Sequence, residues 1–144
     1  MTEFLVTAEE WAAMRPTALI NQTKDAMRKN TDSVMWELAG NDIDKVTGRT
    51  AFDGLRKGDR AAIKVVNQYI NYIAVGIVNI INIFQPEKIC IGGGISNEKE
   101  GLIKPLNDIV TKFSYTRHTD AEEKVCVAKL GNDAGIIGAA FLGI

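Results

Sequence analysis

Apolar residues in this chain recur at three- and four-residue spacing over most of its length and reach strand-like density in two short places only. Residues 17–30 (TALINQTKDAMRKN) space Ala18, Leu19, Ala26 and Met27 at helical intervals, with Thr17 placed to cap the element. Residues 1–16, ending at Pro16, form a weakly patterned lead-in. Residues 30–45 are polar and mixed, and Gly40, Asn41 and Asp42 mark a turn. Residues 50–56 predict a short helix stopped by Gly58.

Asp59 stands where the N-cap of a long helix belongs. Behind it Ile63, Val66, Ile70, Ile73, Ile77, Ile80 and Phe84 make one continuous apolar face. Beyond Ile73 the opposite face is also largely apolar, which predicts burial on both sides. Unbroken to Gln85, the helix would be about 40 Å long, more than a compact domain of this size needs. A kink near Gly76, or a role in a subunit or lobe interface, is therefore expected. Pro86 ends it, because the residue before a proline avoids helical geometry. The most apolar run, residues 73–84, contains Asn79 and Asn82 and is shorter than the ~18–20 residues a membrane span requires, so it reads as a buried helix.

Residues 88–91 predict a strand entering Gly92-Gly93-Gly94, and residues 98–113 a helix that must accommodate Pro105 by a kink or within an early turn. Residues 124–130 (KVCVAKL) predict a second strand, and residues 133–142 a closing helix rich in Ala and Gly. Helices alternating with strands over short connections imply an α/β layered domain with parallel strands. Two strands are few for a sheet, so further strands are expected from elsewhere.

Composition narrows the partners. The 144 residues are enough for one domain, and 46% hydrophobic with 24% charged residues is a soluble globular balance. A net charge of −1 gives neither nucleic acid nor an anionic membrane an electrostatic reason to bind, leaving a small molecule or a protein. Cys90 and Cys126 lie far apart in apolar runs; a redox pair or metal ligands are one reading, and two small buried hydrophobes on neighbouring strands the plainer one. With His118 the sole histidine, no His/Cys metal cluster is expected. Reduced thiols and the absence of a basic-then-apolar leader point to the cytoplasm.

Two motifs could carry chemistry. In ICIGGGIS (89–96) a buried strand runs into three glycines, which lets backbone N–H groups approach a ligand where a Cβ would stand in the way. Ligands of open α/β sheets sit at the carboxyl ends of strands, so a nucleotide fits there. The spacing matches neither a G-x-G-x-x-G fingerprint nor a Walker A loop, and a plain strand-to-helix turn stays open as the alternative. In LGNDAGIIGAA (130–140) Asn132 or Asp133 can cap the last helix, while Gly135, Gly138, Ala139 and Ala140 give it a face that can lie close to a ligand or to the sheet. Asn41-Asp42 sits in a polar turn, and the adjacent pairs Glu9-Glu10 and Glu122-Glu123 diverge; all read as solvated surface.

Taken in order, the motifs resemble the ROK family (repressors, open-reading-frame proteins and kinases). TALINQT (17–23), TGRTAFDGLRKGDRAAIKVV (47–66), INIFQPEKICIGGGISN (81–97) and LGNDAGIIGAAFLG (130–143) are similar to four ordered family segments. The resemblance implies residues 17–144 as the C-terminal lobe of an actin-like/ribonuclease H-like ATPase fold, with few parallel strands and one long buried helix. It implies ATP, Mg-bound in the intact enzyme, with Gly92, Gly93, Gly94, Ile95 and Ser96 against the adenosine. Asn132, Asp133 and Gly135 would close that pocket or connect the lobes.

The departures bear on activity. The family's D-x-G-x-T phosphate loop, its G-T-G-I-G-G-G motif, the N-D-x-N carrying the catalytic Asp and the C-x-C-G-x-x-G-C zinc motif are absent from this sequence. Trp11 falls where the family's sugar-binding Glu would stand, with Glu10 one residue early, and neither inherits that role. Phosphoryl transfer rests on positioning and on electrostatic stabilisation of phosphate oxygens. The expectation is thus a fragment of a glucose-type hexose kinase, giving the adenosine side of the ATP site, with no catalytic or metal residue of its own and inactive without the missing lobe. The alternatives are the dimerisation or effector lobe of a sugar-responsive repressor of that family, or a non-catalytic oligomerisation module. Apolar surface exposed by the missing lobe predicts a homo-oligomer.

Overall fold

The computed structural model describes residues 15–114, 124–129, 133 and 139–141. Most of the lead-in with Glu9, Glu10 and Trp11, and also His118, Glu122, Glu123, Asn132 and Gly135, lie outside the described residues, as does most of the closing helix. The chain divides into two compact units, Met1–Gly76 and Ile77–Ile144.

The first unit is helical. α1 (Pro16–Lys29) begins at Pro16, not at the expected cap Thr17: Arg15 is the extended N-cap residue and makes no side-chain cap bond. A proline suits this first position because its fixed φ is helical and the N–H it lacks would have had no partner. Leu19, Thr23 and Met27, four residues apart, form the buried face, and the Thr23 hydroxyl is satisfied by donating to the Leu19 carbonyl at 2.7 Å. α2 (Val34–Leu38) starts on Ser33 and is tied to α1 by Trp36 Nε1 donating to the Met27 carbonyl at 3.0 Å. Gly40 (φ 65) and Asn41 (φ 58) take the left-handed turn that the sequence marked. α3 (Gly48–Arg56) is longer than expected at its start, since the Thr47 N–H donates to Thr50 Oγ1 at 3.1 Å and fixes the first turn.

Asp59 caps the next helix as expected, and also reaches back to α2. Its Oδ1 accepts from the Ala62 N–H at 2.8 Å, while Oδ2 accepts from the Val34 N–H at 2.8 Å and from Ser33 Oγ at 2.9 Å. Burial pushes the Asp59 carboxyl upward, but these hydrogen bonds outweigh it and hold the group below its ordinary value. Met27, Met35, Ala39, Val46 and Ala62 form a core around which Ile20, Ala26, Trp36, Ile43 and Ala61 pack.

α4 (Arg60–Phe84) runs as one continuous helix through Gly76, where a kink was one of the two expectations its length raised; the division between the two units falls within it. By length and composition α4 could cross a membrane, yet half of its most apolar stretch is buried inside the protein, as in a core helix. Burial on both sides, expected from the pattern, is not what the structure has. Ile77, Val78 and Ile81 are buried, but Ile80 and Phe84 of the long apolar face are 37% and 75% exposed, and Ile83 beside them is 72% exposed. Gln85 (φ 47) then turns the chain ahead of Pro86.

In the second unit β1 (Ile89–Ile91) and β2 (Val125–Val127) form a parallel pair, with Ile89 opposite Val125 and Cys90 opposite Cys126. α5 (Glu100–Phe113) contains Pro105 one turn in, and buries Leu102, Ile103, Leu106 and Val110. Contacts join α5 to β2 and to the short 3-10 turn Gly94–Glu98 that precedes it. The cysteines do sit on neighbouring strands, but Cys90 is exposed and Cys126 half-buried, so neither is the buried hydrophobe expected. Among the described residues, no layer covers the Cys90 side of this two-stranded sheet well enough to hide its side chain.

Candidate functional site

The strand-to-helix passage after β1 is built around one carbonyl. Gly93 has φ 78 and ψ −175, a conformation open essentially to glycine alone. Its carbonyl accepts from the Ser96 N–H at 3.1 Å and from Ser96 Oγ at 2.6 Å, closing the turn. Ser96 is 3% exposed, so its hydroxyl is committed to shaping the loop. Lys99 (φ 46) makes the second sharp bend, and its carbonyl accepts from Leu102 and Ile103 at 3.0 and 2.9 Å to start α5.

Gly92, Gly93 and Gly94 are exposed and Ile95 is half-buried. At both Gly93 and Gly94 the space a Cβ would occupy is open, with no atom within 4 Å. The result is a bare stretch of backbone at the carboxyl end of a parallel strand, able to receive a flat ligand or a dipole at close range. The structure thus brings Gly92, Gly93, Gly94, Ile95 and Ser96 into one turn. Asp133 is exposed, and its companions Asn132 and Gly135 lie outside the described residues.

A second concavity, of about 280 Å³, lies between α1 and α4 in the first unit and not at the glycine turn. Gln22, Asp25, Lys29, Lys64 and Gln68 give it a mixed polar lining, and Gln22 Oε1 is a buried acceptor with no hydrogen-bond partner there. It gathers one acid and two lysines with no geometric focus.

Sequence reasoning missed the residue that fixes β2 beside this turn. Asn107 of α5 brackets Val125 with both ends of its amide. On a helix such a residue looks like any solvated polar position; only its place between the apolar Leu106 and Val110 marks it as facing inward. Glu98, buried at the end of the 3-10 turn, was missed for the same reason.

These features define an α/β domain with a glycine turn at the end of a parallel strand, and solved structures share its fold. A solved ROK family glucokinase from Streptomyces griseus, in complex with glucose and AMPPNP, superposes with a TM-score of 0.78 over 92% of this chain and 43% of its own, at 23% identity. The chain belongs to the ROK family, whose model matches residues 21–144. It is 33% identical over 131 residues to a glucokinase from Thermotoga maritima, covering 91% of this chain, and spans 41% of that relative's length. A xylose repressor from Caldicellulosiruptor bescii is 24% identical over 132 residues, which is 90% of this chain and 31% of the repressor.

Proposed function

We propose that this chain is the nucleotide-binding C-terminal part of a ROK sugar kinase, the C-terminal lobe of an actin-like ATPase fold acting on a glucose-type hexose. The observation that carries the reading is the glycine turn: backbone at Gly92–Gly94 is exposed, and at Gly93 and Gly94 the space a side chain would fill is open. Adenosine of Mg-bound ATP lies against Gly92, Gly93, Gly94 and Ile95, with Ser96 holding the turn from beneath. Asn132, Asp133 and Gly135 are proposed to close that pocket or to connect the lobes. The chain's share of the work is to bind and orient the nucleotide; bound Mg²⁺ would supply charge neutralisation at the phosphates, with ligands from the missing part.

Two observations support dependence on that part. The sequence lacks the family's phosphate loops and catalytic Asp. Among the described residues β1 pairs with β2 alone, which leaves room for further strands from that part. The chain by itself is therefore inactive as a kinase. The second reading, an effector lobe of a sugar-responsive repressor, is favoured by the repressor relative, which aligns with nine-tenths of this chain.

Calorimetric titration with Mg·ATP separates the two. A kinase lobe binds the nucleotide saturably, and Gly94→Ala weakens binding at least about tenfold, since a methyl group enters the space the ligand needs. That variant meets no atom of the protein within 4 Å, so the fold is retained. An effector lobe gives no heat with nucleotide.

A further inference from the structure

Cys90 and Cys126 face each other across the parallel pair in exact register, and their sulfurs are 3.3 Å apart. No disulfide joins them. Neighbouring strands lie about 4.8 Å apart, within the roughly 4.4–6.8 Å that a disulfide spans between Cα atoms. Closing the bond therefore needs side-chain rotation and not a change of fold. Most buried cysteine pairs are shielded from oxidants, but Cys90 is exposed.

The geometry points to Cys90 and Cys126 as a reversible dithiol–disulfide site, oxidised by hydroperoxides. Cys90, the more exposed, attacks first: its thiolate sulfur takes the terminal peroxide oxygen, the O–O bond breaks, hydroxide or alkoxide leaves and takes up the proton the thiol gave up, and Cys90 becomes a sulfenic acid. The Cys126 sulfur then attacks the Cys90 sulfur, the S–O bond breaks, and water leaves. Two thiols have lost two electrons and two protons, and the peroxide has been reduced. A thiol reductant reverses the bond by exchange. The disulfide ties β1 to β2 one residue before Ile91 and two before Gly92, at the entry to the glycine turn. Strand register, sulfur separation and the exposure of Cys90 carry this site, whatever the turn binds.

The test is to treat the folded, reduced chain with equimolar hydrogen peroxide and follow thiol titre and intact mass. Titratable thiols should fall from two to none together. The mass should drop by two hydrogens, the chain should stay unlinked to other chains, and dithiothreitol should restore both thiols. In Cys126→Ser the remaining Cys90 should instead gain oxygen or link two chains. In urea, where the strands no longer hold the sulfurs together, bond formation should slow at least about tenfold. Separate oxygen addition at each sulfur of the folded wild type, or equal rates in urea and buffer, would overturn the proposal; neither readout depends on nucleotide binding.

Discussion

Asn107 brackets Val125: its Nδ2 donates to the Val125 carbonyl at 2.8 Å, and its Oδ1 accepts from the Val125 N–H at 3.0 Å. One side-chain amide thus supplies to Val125 what a neighbouring strand would supply at that residue of β2. Asn107→Ala would leave both polar groups of a fully buried residue without their partner, at a cost of about 2–3 kcal/mol. Hydrogen exchange should show it locally, with the Val125 amide exchanging at least about tenfold faster. Unchanged protection at Val125 would count against the bracket.

Asp59 gives a pH dependence with a definite sign. Its folded carboxyl titrates below the ordinary value of 3.8, so its stabilisation is present above about pH 4 and is lost as pH falls through the folded value. Asp59→Ala should cost about 1–2 kcal/mol at neutral pH through loss of the α4 cap and the tie to Ser33 and Val34. Urea melts of the variant and wild type should converge as pH drops from about 4 towards 2. A gap that stays constant across that range would show that the charge is not responsible.

Gly54 marks the closest approach of α3 to its neighbours. A Cβ there would lie 2.7 Å from Ala62 Cβ and 2.9 Å from Met35 Cγ. Met35 can yield by rotating, but Ala62 has nothing to rotate, so α3 must move away from α4. Gly54→Ala should destabilise the first unit by about 1–3 kcal/mol despite alanine's better helix propensity. A stabilised variant in thermal melts would refute the close contact.

How far the sequence alone carried the fold follows from what each element depends on. α4 and its Asp59 cap were legible because helical spacing and a cap are local properties. The same holds for the glycine turn, whose three residues announce backbone exposure in themselves. The start of α1 was misread at Thr17 because a capping residue and an N1 proline compete one position apart, and the proline won. Full burial of α4 was also inferred wrongly. Its pattern marks Ile80, Ile83 and Phe84 as apolar, but a local pattern does not say what packs against them, and in the structure they are exposed. The two cysteines were expected on neighbouring strands from their apolar runs, but their direct register, the exposure of Cys90 and the Asn107 bracket depend on strand register and helix docking, to which no local pattern points.

The exposed end of α4 carries a prediction for solution behaviour. Ile80, Ile83 and Phe84 present a contiguous apolar stripe at i, i+3 and i+4. Two copies of the chain are expected to pair through it. Sedimentation at micromolar concentration should show a dimer or larger species, and the double variant Ile83→Lys, Phe84→Lys should sediment as a monomer with its helicity unchanged. A monomeric wild type would exclude the stripe as a self-association surface.

The glycine turn as an adenosine site is the central claim, and backbone amide shift mapping of the ¹⁵N-labelled chain during titration with Mg·ATP tests it residue by residue. The account predicts saturable shifts concentrated at Gly92, Gly93, Gly94, Ile95 and Ser96, and their loss in Gly94→Ala. Shifts centred instead on Gln22, Lys29 and Lys64 between α1 and α4, or none at millimolar nucleotide, would contradict it.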